Sequence, residues 1–147
     1  MVGLVYLSSY GPEEGESHDD IVKRFPPPSG RSAIQLDQNG FLWIDRHEFA
    51  GVFAHDVDRI QAEIMAVVQK PVAKRCFGVP IAQAAWKSKP SWFLLSENDR
   101  LINPHLQHFM TKRRGAKVVS VPSSHASLVS HPVAAAKLIA AAARSTS

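Results

Sequence analysis

The sequence predicts an α/β fold built on a parallel sheet, and three observations carry that reading. Trp92-Phe93-Leu94-Leu95 and Lys117-Val118-Val119-Ser120-Val121 are short apolar runs without polar alternation, the pattern of parallel strands covered on both faces. Between them, residues 105–114 repeat Leu106, Phe109, Met110 and Arg113 at helical spacing, with Pro104 suited to a first turn and Gly115 to a left-handed stop. Asp99 and His125 fall just past the carboxyl ends of the two strands, on the edge where open α/β sheets place their sites. The unit is therefore a βαβ crossover, expected to be right-handed.

The remaining elements follow in order. Residues 1–9 open on Val2, Leu4, Val5, Tyr6 and Leu7, a core strand with no polar lead, ended by Ser8, Ser9 and Tyr10 at the same sheet edge as Asp99 and His125. A chain that starts inside a core strand is expected to be the distal part of a longer protein, from an internal start or a split gene. Residues 11–32 carry loop chemistry, with a short helix expected over 19–24 and an extended proline run at Pro26-Pro27-Pro28. Asn39-Gly40 predicts a turn between extended pieces at 33–36 and 41–44. Asp45 with Glu48, and Asp58 with Gln61, have the spacing of helix starts. Phe49, Val52 and Phe53 would form one helical face, and Ile60, Ile64, Val67 and Val68 a second, ended by Pro71. A third helical piece is expected over 72–77. Residues 11–86 thus read as a helical insertion between two sheet strands.

After His125, Ser130 is expected to cap a last helix with Pro132 in its first turn. Val133, Lys137, Leu138 and Ala141 would set its packing face, and Ser145-Thr146-Ser147 a frayed tail.

Composition narrows the function classes. The 147 residues suit one domain, and 45% hydrophobic with 20% charged residues is ordinary for a globular protein. The formal charge of +4 is scattered except at Lys112-Arg113-Arg114, a helix end where cations favour the dipole, so no nucleic-acid partner is expected. A single cysteine, Cys76, allows no internal disulfide and fits a reducing compartment. No apolar run reaches membrane-spanning length and no charged region precedes the first apolar stretch, so a cytoplasmic location and no membrane association are expected. His47 and His55 are eight apart and His105 and His108 three apart, but no cysteine or carboxylate completes a metal set. No glycine fingerprint for a nucleotide occurs, and no cofactor is expected.

A carboxylate that accepts from one imidazole nitrogen orients the ring and leaves the other nitrogen free to take a proton. The order Ser, Asp, His along a chain belongs to the α/β-hydrolases. SENDRLINPHLQ and PSSHASLVSHP resemble the acid turn and histidine loop of that superfamily, in the branch of small esterases and hydroxynitrile-lyase-like proteins, and VGLVYLSSYGPEEGES resembles the strand and exit loop after the nucleophile helix. The resemblance implies a partial α/β-hydrolase fold, about three parallel strands flanked by helices with a helical cap after the first strand. It implies Asp99 as acid and His125 as base, and a small ester-like substrate lined by Tyr10, Trp43 and Leu101. The aromatics of the insertion, Phe41, Trp43, Phe49, Phe53 and Trp86, are open to two readings, facing an acyl or aromatic substrate or, the better one for most of them, filling the cap core.

The resemblance covers only about the last half of such an enzyme. No Gly-x-Ser-x-Gly elbow occurs: Gly15-Glu16-Ser17-His18-Asp19 lacks the second glycine, and Gly30-Arg31-Ser32-Ala33-Ile34 follows prolines instead of a strand. Three readings stay open. The chain is the distal half of an ester hydrolase, completed by its proximal half; or a non-catalytic remnant that folds or dimerises; or a hydrolase using Ser8, Ser9 or Ser124. Lyase chemistry is an alternative to ester hydrolysis for the first.

Overall fold

The computed structural model describes residues 1–146. Its elements in chain order are β1 (Leu4–Leu7), α1 (His18–Val22), β2 (Ile34–Leu36), β3 (Phe41–Ile44), α2 (Phe49–Phe53), α3 (Arg59–Val68), β4 (Val72–Ala73), α4 (Arg75–Gly78), β5 (Ser91–Ser96), α5 (Pro104–Arg114), β6 (Lys117–Val121), α6 (Ser127–Ser130) and α7 (Pro132–Ser145). β1, β5 and β6 form a parallel sheet in the order β1-β5-β6, with Leu7 beside Leu94 and Ser96 beside Val121. All three strands therefore end at one edge, followed by Ser8, Glu97 and Pro122. β2, β3 and β4 form a separate antiparallel sheet.

The two faces of β5 divide by alternation. Trp92 and Leu94 pack with Val121, Ala135, Leu138 and Ala142, so α7 covers one face. On the other, the Arg114 guanidinium from the end of α5 lies 5.2 Å from the Phe93 ring centroid and 4.1 Å from that of Tyr6. α5 begins as expected: Asn103 accepts from the His105 N–H, Pro104 fills the first position, and Gly115 closes the helix at φ 59°. α1 is shorter than expected and starts one residue earlier, because Ser17 and Asp20 cap it reciprocally.

Several expectations are corrected. β5 is buried throughout, but β6 is exposed at its first four positions and is an edge strand with Val118 and Val119 open to solvent. The insertion carries its own sheet as well as helices. Its first two strands flank the Asn39-Gly40 turn, but residues 72–77 are not one helix: Val72 and Ala73 pair with Leu42 and Phe41, and α4 starts only at Arg75. Asp45 accepts from the His47 and Glu48 N–H groups and so stabilises a turn, while α2 begins four residues later.

Asp58 caps α3 through the Gln61 N–H as expected, yet α3 buries Ala62 and Ala66 and turns Ile60, Ile64, Val67 and Val68 outward. Small side chains let α3 approach Phe49 and Ala54 closely, which fixes the opposite face to solvent. In α7 the packing face is Ala135, Leu138 and Ala142, with Val133 exposed, and its cap position is His131 with no side-chain cap. Of the expected tail, Ser145 closes the helix with its hydroxyl on Ala141 O, and Ser147 lies outside the described residues.

Candidate active site

The turn after β5 holds Asp99 with its side chain fully buried. Oδ1 accepts from the N–H groups of Leu101 (2.8 Å) and Ile102 (3.0 Å). Oδ2 accepts from Gln107 Nε2 at 2.9 Å and lies 2.8 Å from His125 Nδ1. Because a carboxylate only accepts, Nδ1 carries the proton in that contact, and the neutral ring keeps an open lone pair at Nε2. Nε2 has no partner among the described residues.

The histidine loop is held from the insertion. Asp56 Oδ2 accepts from the Ser124 N–H at 2.9 Å, the Ala126 N–H donates to Phe53 O at 3.1 Å, and Ala126 is buried among Phe49, Ala54, Ala62 and Ala66. The Phe53 ring meets the His125 ring edge-on at 4.8 Å. Burial pushes the Asp56 carboxyl up, but hydrogen bonds from Ser124 and Ser130 outweigh that and hold it below the ordinary carboxylate value. The acid turn is tied to the insertion as well: His55 Nε2 lies 3.0 Å from Asn98 O, Arg100 Nη1 donates to Gly51 O, and the Gly30 N–H donates to Arg100 O.

Under the strand ends runs a chain of buried hydroxyls. Ser123 Oγ donates to Ser96 Oγ (2.8 Å), Ser96 Oγ lies 2.6 Å from Ser8 Oγ, and Ser8 Oγ lies 2.8 Å from Ser127 Oγ. Each strand end contributes one hydroxyl, and Ser127 belongs to the loop carrying His125. Ser8 adopts φ 43°, a left-handed backbone unusual for a residue with a Cβ, so this junction is locally strained.

Two cavities share His125 and Leu101 as common wall. One, of about 470 Å³, is lined by Trp43, Phe49, Phe53, Met65 and Val68; the other, of about 570 Å³, by Tyr10, His18, Phe25 and Arg31. Tyr10, Trp43 and Leu101 thus all stand on walls that reach His125. Burial, then the Asp99 charge, pushes the Tyr10 phenol well above its ordinary value, so it stays protonated. Phe49 and Phe53, read from sequence as cap core, also line the first cavity, and Trp86 instead donates its indole N–H to Pro12 O. Ser17 caps α1, Ser9 donates to Tyr10 O, and Ser124 accepts from the Ala126 N–H; none of the described serines hydrogen-bonds to His125. No three or more His, Cys, Asp or Glu among the described residues cluster as metal ligands, and no described helix is long and apolar enough to cross a membrane.

Gln107 escaped the sequence reading. It is fully buried, donates to Asp99 and Ile102 O, and accepts from the Ser96 N–H, so it joins strand, turn and helix. Its signal was an amide beside Leu106, one helical turn before Met110 and Thr111 on the buried side of α5. Asp56 left no such signal, since its partner is 68 residues away.

A parallel sheet ending in an acid turn and a histidine loop defines the class. The model of the alpha/beta hydrolase family matches residues 1–138, and the chain belongs to that family. Among solved structures it is similar to a pyrethroid hydrolase (TM-score 0.77, 23% identity, covering 97% of this chain and 61% of that one). It is also similar to polyneuridine aldehyde esterase (TM-score 0.72, 12% identity, 92% and 60%) and to a methylesterase from Arabidopsis (TM-score 0.68, 14% identity, 95% and 58%). The chain spans about three-fifths of the length of these structures. No curated protein matches it.

Proposed function

We propose that this chain is the C-terminal portion of an ester or acyl hydrolase, supplying acid Asp99 and base His125 to a Ser-Asp-His triad whose serine lies outside these 147 residues. The observation that carries the reading is the 2.8 Å contact of His125 Nδ1 with buried Asp99, on a ring that lines both cavities and keeps Nε2 free. The serine hydroxyl attacks the ester carbonyl as Nε2 takes its proton. The imidazolium returns that proton to the leaving alcohol, and the same nitrogen then activates water against the acyl-enzyme. Asp99 keeps the ring in the tautomer this needs. Residues 11–86 act as a cap that walls the substrate from water, with Tyr10, Trp43 and Leu101 against it.

The test is to read the DNA upstream of the Met1 codon and express the chain with the residues it encodes. Upstream sequence should specify a Gly-x-Ser-x-Gly elbow, and the extended protein should hydrolyse a p-nitrophenyl ester, with kcat reduced about 10⁴-fold or more in His125→Ala. Absence of an elbow, or turnover that survives the substitution, overturns the reading.

The alternative is an interaction module without hydrolase activity. It draws on the outward apolar face of α3 and on the outer edge of β1, which pairs with no strand among the described residues. A monomer with cooperative unfolding and no turnover in the extended protein would favour it.

A further inference from the structure

The two cavities differ in chemistry, and their difference specifies the substrate. In the first, the uncharged polar groups apart from His125 are occupied, since the Trp43 indole N–H donates to Asp37 and the Gln69 amide donates to Ile44 O and Ala66 O and accepts from the Ile44 N–H, and exposed Lys70 is its one lysine or arginine against three in the second. Phe49, Phe53 and Met65 leave it apolar, with room for a fused aromatic ring.

The second cavity is cationic. Its one carboxylate, Asp19, is bound by Lys74 at 3.0 Å and lies 3.2 Å from His18 Nδ1. Lys23 reaches Asp20 only at 4.0 Å, and the Arg31 side chain has no ion pair or hydrogen bond among the described residues. Burial pushes the His18 imidazole down and the Tyr10 phenol up, so both walls are neutral at neutral pH. The backbone before Arg31 is held beside the acid turn, because Gly30 donates to Arg100 O at 2.8 Å, so close that a Cβ on Gly30 would fall 2.7 Å from that oxygen, and Arg31 itself is exposed to solvent. The field of Arg31 reaches the Tyr10 phenol, which also feels Asp99.

We infer that the site takes a hemi-ester, an aromatic ester whose other arm keeps a free carboxylate, with the aromatic group in the first cavity and the carboxylate on Arg31. The inference rests on the hydrolase reading above for the ester bond itself. A guanidinium without a partner matches a carboxylate in a bidentate manner. Between the two arms, the bond to be cut lies against the shared wall where His125 stands.

The test uses the 147-residue chain and a non-hydrolysable amide analogue, the succinamate of 2-naphthylmethylamine, against its uncharged primary amide. Calorimetry should show the acid binding about two- to fivefold tighter than the amide, with the preference shrinking as salt is added. Arg31→Gln should remove the preference and leave the amide affinity unchanged, while Trp43→Ala should weaken both ligands alike. Equal binding of acid and amide, a preference that survives Arg31→Gln, or binding of neither overturns the inference. The triad fails separately: the acid preference would persist while the extended protein shows no His125-dependent hydrolysis. If only the hemi-ester is wrong, that protein would hydrolyse neutral naphthyl esters with no charge preference.

Discussion

Asp99 and His125 meet in one contact, yet they are held by different parts of the chain. Apart from His125, the donors to Asp99 are Leu101, Ile102 and Gln107, all within eight residues of it. His125 sits on a loop whose anchors, Phe53 and Asp56, are some seventy residues earlier. The hydrogen bonds to the Asp99 carboxylate itself thus come from a turn and one helix, with the insertion reaching only its neighbours Asn98 and Arg100, whereas the His125 loop takes its anchors directly from the insertion. Assembly of the pair is coupled to the packing of the insertion, and the two sides should respond differently to substitution.

The largest expected effect is at Asp99. Asp99→Ala takes the acceptor from one Gln107 N–H, which keeps only Ile102 O, and from two backbone N–H groups, and should cost about 3–5 kcal/mol in urea unfolding. Asp99→Asn retains an acceptor for Leu101 and Ile102 but offers only one oxygen, and should fall between. A cost for the alanine variant under about 1 kcal/mol would mean that the acid turn is not held from within the core, and the comparison would break.

At Asp56 the effect should be smaller and confined to the other side. Asp56→Ala removes the acceptor of the buried Ser124 N–H, for about 1–3 kcal/mol. Amide exchange should quicken at Ser124 and Ala126 and stay unchanged at Leu101 and Ile102. The folded state lowers the Asp56 pKa. Its contribution to stability is thus fully present above the unfolded value of about 3.9 and is lost as pH falls through the lower folded value. Across that window Asp56→Asn should lose less stability than the unsubstituted chain, and identical slopes would remove Asp56 as the anchor of the loop.

This division explains what was legible in the sequence. The acid turn, its helix and the Gly115 stop were readable because cap, proline and glycine signals lie within one turn of what they control. The strand identities were readable too, but β6 composition did not show that its first four residues are exposed, since burial depends on what packs against a strand. The order of Asp99 and His125 along the chain was visible, while Asp56, Phe53 and the serine chain under the strand ends were not, because each acts across the fold. α3 failed for a different reason. A helix with a large branched stripe and a small alanine stripe has two candidate faces, and close packing selected the smaller.

That choice yields the smallest effect and the sharpest contrast within the insertion. Ile64 is 57% exposed, whereas Ala62, two residues before it, is 1% exposed and belongs to the cluster that holds Ala126. Ile64→Ser should change stability by under about 0.5 kcal/mol, because little apolar area is lost from water-excluded contact. Ala62→Leu should cost about 1–3 kcal/mol by overpacking and should also quicken exchange at Ala126, carrying the disturbance into the histidine loop. If Ile64→Ser proves costly and its cost grows with protein concentration, the outward stripe is buried between copies of this chain. The insertion would then hold His125 on one face and a second molecule on the other.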